Sequence, residues 1–575
     1  SNPMIIHHLK IENFRGIRSL DWHLSGRVLC LVGPNDSTKT SILDAIELVL
    51  LPRMTPQISD ADFHNLNIEE PISIEATIGE LPQELLDDEK FGLYLRGYDP
   101  SKGIQDDPDD NCEPVITVRF IMNGDLEPEW AVVKTGQEEP RTIGWRDRGR
   151  LGLARLGAEV DKHLTWARGS ALSKLTENDN SIGQAFLEAT RKAREIVAGA
   201  ELDSLTGVAS KACESAKIMG AEFKELRHGL DASALSLGSS VLGLHEANIP
   251  VRQWGLGTRR LAALAIQQSG IGQKSILLID EIEHGLEPHR QRHLLKRLCS
   301  DETGIADREC GQVIFSTHSP TSIIALPVQH LRFVRSVNGL TTITEVKPES
   351  IKSLQGVARS HSPAFLGRKL LICEGATEVG LCRGLEDHWS KEKDGRHPTH
   401  IGFVPVDSGG RTKASNVAIE LKRIGYDVAI LADSDKPLEP GVDELGRHNI
   451  PFFLWEGNMC TEQRLATDLP VAAIQILLDG VFQELDSQSV LDQIGSCCGI
   501  NNLTTRGKSL SDWLDTDLPI EKAREALGKA ANKNSWFKNV TLGIRLGEIV
   551  AENLPKMSTT STATTLAALL KWIYG

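Results

Sequence analysis

The 575-residue sequence has ten cysteines but no C-x-x-C pair, only four tyrosines, and no uninterrupted apolar stretch of membrane-spanning length. The missing pair excludes a zinc ribbon, and the scatter of cysteines from Cys30 to Cys498 excludes the disulfide framework of a small secreted domain. Adjacent Cys497 and Cys498 read as plain structural thiols. Without a long apolar run or an opening signal-peptide pattern, a soluble, cytoplasmic chain with no membrane partner is expected. Ser1, Asn2 and Pro3, ahead of Met4, are set aside as an expression remnant. Basic residues are also in deficit: 63 Lys and Arg against 78 Asp and Glu leave a net charge of −15. That excludes a protein coated in nucleic acid by bulk attraction, so a polyanion has to be met by a local patch. With 40% hydrophobic and 25% charged residues the composition is ordinary for a globular protein, and the length predicts about three domains.

The charge is uneven. Leu81 to Glu113 holds ten acids and three bases, and Asp106, Asp107, Asp109 and Asp110 around Pro108 read as a solvated loop, since they lack EF-hand spacing. Arg141 to Arg150 reverses the sign with four Arg and one Asp. It reads as an exposed structural face, with phosphate contact as the alternative.

The apolar run Arg27 to Val32 stops at Gly33, and Ser41 to Leu51 carries apolar residues at helical spacing, which predicts strand, loop, helix. Between them, Gly33-Pro34-Asn35-Asp36-Ser37-Thr38-Lys39-Thr40 fits the G-x-x-x-x-G-K-[ST] phosphate loop except at the second glycine, which is Thr38. In such a loop backbone N–H groups, here from Gly33 and Asn35 onward, surround the phosphates. Lys39 adds a point charge and the Thr40 hydroxyl ligates Mg²⁺. A β-branched residue where glycine freedom is needed predicts slow nucleotide turnover.

Ile182 to Leu230, rich in Ala, Glu, Lys and Leu, reads as a helical arm. Gln253-Trp254-Gly255-Leu256-Gly257-Thr258-Arg259-Arg260 leads into a helical Leu261 to Gln267, where Gly255 and Gly257 allow close approach of backbone N–H groups to a γ-phosphate. Ser275 to Ile279 is a buried strand ending in Asp280 and Glu281, and Val313 to Ser316 is a strand followed by Thr317, His318, Ser319 and Pro320. In this order the segments resemble the ABC ATPase heads of the SMC, RecF and RecN type. Ile11-Glu12-Asn13-Phe14-Arg15-Gly16-Ile17 is similar to their opening strand and Ile282 to Pro288 to their D-loop. The resemblance implies ATP with Mg²⁺, Asp280 holding the ion, Glu281 polarising the attacking water and His318 sensing the γ-phosphate. It also implies a composite site in which one head's phosphate loop meets another's signature, hence a homodimer formed through the ATPase arm.

After Pro363, Lys369 to Cys373 is a buried-strand run followed by Glu374-Gly375-Ala376-Thr377-Glu378 and a helical stretch to Trp389. Asp427 to Ala432 is a second such strand, ending in Asp433-Ser434-Asp435. Carboxyl ends of neighbouring parallel strands converge, so Glu374, Asp433 and Asp435 can share a divalent ion. The pattern resembles TOPRIM units. Of the enzymes built on them, a topoisomerase needs a nucleophilic tyrosine in a DNA-gate domain, and none of Tyr94, Tyr98, Tyr426 and Tyr574 lies in one. A primase would bring a zinc module, which leaves a nuclease.

An ABC head followed by TOPRIM resembles the OLD (overcoming lysogenization defect) family endonucleases, in the class of the Gabija-type nuclease. Two more segments carry that resemblance: Trp455 to Glu462, which implies Glu462 as a further metal ligand, and Trp536-Phe537-Lys538, which implies a catalytic lysine at Lys538. The fold expected is therefore α/β: an ABC-type ATPase head with a helical dimerisation insertion, followed by a TOPRIM α/β nuclease domain with a helical insertion. The expected units are residues 4–160 and 246–362 as the two lobes of the head, 161–245 as the arm, 363–470 as the TOPRIM core, 471–533 as the insertion and 534–575 as the return to the TOPRIM region. Two-metal hydrolysis with Mg²⁺ or Mn²⁺ is expected, with Glu374, Asp433 and Asp435 on one ion, Glu378 and Glu462 on the other, and Lys538 neutralising the transition state. Gly409 and Gly410 allow close approach to a phosphate, and Asp407 reads as a turn acid. DNA is the expected partner. A helicase partner and phage defence are what the Gabija-type resemblance suggests. A DNA-binding clamp or repair ATPase without cleavage, and a TOPRIM nuclease acting on RNA, remain open alternatives.

Overall fold

In the computed structural model the described residues are 4–34, 38–50, 52, 55–87, 89–106, 112–157, 160–166, 170, 172, 173, 176, 181–200, 203–219, 224–226, 242–271, 276–299, 311–501, 503–514 and 518–575. The fold is mixed α/β, with two sheets that share packing. The larger one, fourteen-stranded among the described residues, has at one end five mutually parallel strands in the order Leu153–Leu156, Ile276–Ile279, Val313–Ser316, Val28–Val32, Leu331–Val337. All five residues of Val28–Val32 are buried, as expected of a parallel strand covered on both faces. The remainder, including the hairpin Ile5–Phe14 and Ile17–His23, pairs mostly antiparallel. Because the parallel strands run together, the residues after Val32, Ile279 and Ser316 all emerge at one edge.

The expected arm is seen as two helices, Ser181–Gly199 and Asp203–Ile218; the end of the predicted segment, 227–230, lies outside the described residues. Of the acidic loop only Asp106 is described, paired with Arg96 Nε at 2.6 Å. The basic run is exposed as expected at Arg141, Arg146 and Arg150, and departs from that only at Arg148. Arg148 is buried, its guanidinium 4.0 Å over the Trp130 ring and donating to Ile143 O at 2.7 Å. It serves packing, since an amphipathic guanidinium can stack on an indole and satisfy its N–H groups on carbonyls.

The smaller sheet has four parallel strands in the order Phe403–Asp407, Lys369–Cys373, Asp427–Ala432, Phe452–Leu454. It is joined to the larger one by buried aromatic rings. Phe333 stacks on Phe365 with centroids 5.5 Å apart, Tyr426 meets both edge-on, and the Tyr426 hydroxyl donates to Phe365 O at 2.6 Å.

Beyond Val471 the chain is helical, with Val471–Glu484, Ser487–Cys498 and Ile520–Lys533 where an insertion is expected. Helix Val540–Asn553 then packs on Ala376–Glu392 through glycines spaced four apart on each. A Cβ on Gly380 would lie 2.6 Å from Gly543 Cα, and one on Gly384 2.2 Å from Ile544 O and 2.7 Å from Gly547 Cα. These helices touch backbone to backbone, which only glycine permits. Gly384→Ala should therefore force them apart and lower stability by about 1–3 kcal/mol, measured as a drop in the melting midpoint.

Candidate active site

Two clusters form at the strand ends. In the larger sheet the loop after Val28–Val32 leads into helix Lys39–Leu50. Lys39 is buried, and its Nζ donates to Gly33 O and Pro34 O, each at 2.9 Å. Thr40 Oγ1 donates to Asp280 Oδ1 at 3.3 Å, and the same oxygen accepts from Ser316 Oγ at 2.6 Å. The hydroxyl and carboxylate expected to share Mg²⁺ are thus already adjacent. Asn35 lies outside the described residues. Thr38 has φ +67°, so this position does demand the left-handed backbone that a β-branched side chain resists. Glu281, half-exposed, also has positive φ (+46°) and sits 3.6 Å from His284 Nδ1.

His318 is held by Glu283, which lies in the Ile282 to Pro288 segment but is not singled out by its pattern. Glu283 accepts the His318 N–H at 2.5 Å on one oxygen and the Thr317 hydroxyl at 2.7 Å on the other. Burial, then the charge of Lys39, pushes the His318 imidazole below its ordinary pKa, favouring the neutral ring. Arg155 joins the phosphate-loop helix to Asp280, with Nη2 2.5 Å from Asp44, Nη1 3.1 Å from Glu47, and Nη2 3.8 Å from Asp280.

The two signature glycines part company. Gly255 is open, with nothing within 4 Å of a built Cβ, whereas a Cβ on Gly257 would strike Gly285 O at 2.2 Å. A side chain at position 257 would therefore collide with the backbone at Gly285.

In the smaller sheet, Cys373 is level with Asp407 and Leu431, which puts Glu374 and Asp433 side by side. Asp433 N donates to Glu374 Oε2 at 3.2 Å. Arg411, the first residue of helix Arg411–Arg423, places Nη1 2.7 Å from Asp435 Oδ1 and 3.5 Å from Glu374 Oε2, and donates from Nη2 to Asp433 O at 2.8 Å. Arg411 thus spans Glu374 and Asp435, where the sequence alone suggests that the two carboxylates meet directly on one ion. Gly409 and Gly410, both with positive φ, stand out in the sequence, but the arginine they deliver does not. Asp407 caps that turn, accepting Gly409 N–H at 2.8 Å, as expected of a turn acid.

Beneath lie Glu378 and Glu462, both buried. Glu462 Oε1 accepts from Thr377 Oγ1 at 3.0 Å. Glu378 is bound instead to Asp433 through Thr461, whose Oγ1 is 2.6 Å from Glu378 Oε1, 3.0 Å from Asp433 Oδ1, and 2.7 Å from the Trp455 indole N–H that donates to it. A hydroxyl has one proton, so Thr461 Oγ1 can donate to only one of the two carboxylates; Asp433 Oδ1 also accepts the Thr461 backbone N–H at 2.8 Å, and Glu378 Oε2 accepts the Gly375 N–H at 2.8 Å. Burial, then Asp433 and Glu462, push Glu378 well above the usual carboxylate range. Burial, then Glu374, push Asp433 up to about 7.

Five carboxylates supply only hard oxygen donors, the set that suits Mg²⁺ or Mn²⁺. Lys538 is exposed, at the end of the turn Trp536–Lys538. A Cβ on Gly543 would lie 3.1 Å from Phe537 O and 3.8 Å from Ala376 O, so this turn packs near the start of the helix that bears Glu378.

The family model described as "AAA domain, putative AbiEii toxin, Type IV TA system" matches residues 28–324. The chain is 23% identical over 475 residues to an OLD nuclease of Thermus scotoductus (strain ATCC 700910 / SA-01), covering 76% of this chain and 84% of that protein. It is 25% identical over 356 residues to the DNA replication and repair protein RecF of Chloroflexus aggregans (strain MD-66 / DSM 9485), covering 51% of this chain and 90% of that one. Solved structures similar to it include an SMC head bound to the C-winged helix domain of ScpA (TM-score 0.33, 16% identity, 60% of this chain and 98% of that one). Another is the recombination mediator RecF with ATP (TM-score 0.33, 13% identity, 60% and 100%). Among the described residues no helix is long and apolar enough to cross a membrane.

Thr38→Gly should relieve a left-handed β-branched residue and stabilise the nucleotide-free protein by about 1 kcal/mol, seen as a higher melting midpoint. The Asp433 carboxyl, raised from 3.8 to about 7, favours folding fully below its ordinary pKa, and that contribution is lost as pH rises through about 7. In EDTA the melting midpoint should therefore fall across this window, and Asp433→Asn should flatten the profile.

Proposed function

Since the chain belongs to the AAA-domain family and is similar to an OLD nuclease, we propose that it is a divalent-metal-dependent endonuclease that cuts DNA by TOPRIM-type phosphodiester hydrolysis under an ABC-type ATPase. The observation that carries this reading is the carboxyl edge of the smaller parallel sheet. There Glu374, Asp433 and Asp435 meet around Arg411, above the buried Glu378 and Glu462. Divalent ions bound there would supply Lewis acidity for an attacking water and a leaving 3′-oxygen. Glu374, Asp433, Asp435, Glu378 and Glu462 would hold them, and Thr461 would keep Glu378 and Asp433 in place. Arg411 and Lys538 are the cations that would meet the scissile phosphate.

The larger sheet supplies nucleotide binding through Gly33, Lys39, Thr40 and Asp280, with Glu281 and His318 at the γ-phosphate side. Open Gly255 beside the partly exposed Trp254, and exposed Ile196, Leu205 and Val208 on the arm helices, support a homodimer that completes the nucleotide site. A helicase partner and a part in phage defence belong to this reading through the Gabija-type resemblance. The likeness to RecF favours a second reading, a repair ATPase that binds DNA without cutting.

Supercoiled plasmid incubated with Mg²⁺ or Mn²⁺ separates the two. The nuclease reading expects nicking or linearisation that EDTA abolishes and that Glu374→Ala lowers by at least about 100-fold; equal background levels of intact plasmid with wild type and variant would sink it. Lys39→Ala should weaken ATP binding, measured by titration calorimetry, because it removes the lysine charge that the loop offers to phosphate.

A further inference from the structure

The N-terminal hairpin carries side chains that neither cluster uses. Pairing of Ile5–Phe14 with Ile17–His23 sets His8 directly opposite His23, and Asp21, two residues before His23, falls on the same face. Strand alternation sends His7 the other way, where it is buried, stacks on Tyr98 at 3.7 Å and lies 3.0 Å from Glu113. On the solvent side the His8 and His23 rings stack with centroids 4.4 Å apart and planes 21° apart. His8 Nε2 is 2.8 Å from Asp21 Oδ1, and His23 Nε2 is 3.7 Å from the same oxygen. One ligand atom from each residue lies within 4.8 Å of the other two, and among the described residues no other group of three His, Cys, Asp or Glu does so.

Coordination geometry gives a scale for these distances. Two ligands bound at about 2.0–2.1 Å and subtending a tetrahedral angle lie about 3.3 Å apart, and the observed 2.8 and 3.7 Å bracket that value. Lys10 is level with Asp21 on this face, but its Nζ is drawn to Glu12 at 2.8 Å. The geometry points to a transition-metal site formed by His8, Asp21 and His23, with Zn²⁺ as the preferred ion. Two imidazoles and one carboxylate make a borderline nitrogen-rich set that favours Zn²⁺ over Mg²⁺, whereas the active-site carboxylates are all oxygen.

The site sits at the open end of the hairpin. There Leu24 N donates to His7 O at 2.9 Å, and the chain turns toward Val28–Val32 and the phosphate loop. A bound ion would pin both strands at that point, in the sheet that carries the phosphate loop.

Calorimetric titration of the full chain with ZnCl₂, after EDTA stripping and in millimolar Mg²⁺, tests the assignment. The expected result is a zinc event present in wild type and in Glu374→Ala but weakened at least about tenfold by His8→Ala and by His23→Gln. A zinc-dependent rise in melting midpoint should be lost in the same variants. Asp21→Asn keeps the shape of the side chain and serves as the variant least able to misfold; it should show the same loss. Zinc affinity and stoichiometry equal in wild type, His8→Ala, His23→Gln and Asp21→Asn would overturn the site.

Discussion

The carboxylate cluster depends on a contact that has no polar chemistry in it. Gly380 and Gly384 on one helix and Gly543 and Gly547 on another let two backbones meet without intervening side chains. The first helix begins beside Glu374 and bears Glu378; the second comes after the turn that carries Lys538. Had either helix presented alanine or larger at these places, the interaxial distance would open toward the ordinary 8–10 Å or more. The C-terminal turn would then retreat from the strand ends, and the apolar packing of Trp536 and Phe537 would be disturbed with it. The chemistry at the sheet edge is thus positioned by residues chosen for having nothing to contribute to it.

Around that contact the electrostatics arise from burial. Several acids are placed where water is scarce, and the protein meets the cost by sharing. Thr461 lends one hydroxyl to Glu378 and Asp433, Arg411 neutralises Glu374 and Asp435, and raised pKa values keep protons where charge would be expensive. The overall deficit of basic residues therefore says little about this site, whose local charge depends on protons and one arginine.

The strands and their terminal acids were legible in the sequence because buried parallel strands read as short apolar runs, and the residues just past those runs share one sheet edge. Thr38 was legible for a similar reason: a local pattern fixes which residue must take the left-handed backbone, and its φ is +67°. Arg411, Thr461, Arg155 and Glu283 were not, because their partners lie 20 or more positions away or in another element, and nothing local marks a polar side chain as a bridge. The close contact of Gly257 was hidden by the same limit; only the folded chain brings Gly285 O against it. Cys497 and Cys498 remain ordinary thiols, free in the structure.

The aromatic joint between the sheets has a thermodynamic consequence. Phe333 is level with Val32, the residue before the phosphate loop, and Tyr426 immediately precedes the strand Asp427–Ala432 that leads into Asp433. That strand has six residues, about 20 Å of nearly inextensible backbone. A close-packed joint of this kind behaves as a rigid coupling and has little compliance to absorb a displacement. Work done on one sheet is therefore felt by the other in both directions. Were the carboxylates to bind divalent ions with an affinity that ATP alters, those ions would alter the affinity for ATP by the same factor, so occupancy at either end would report on the other.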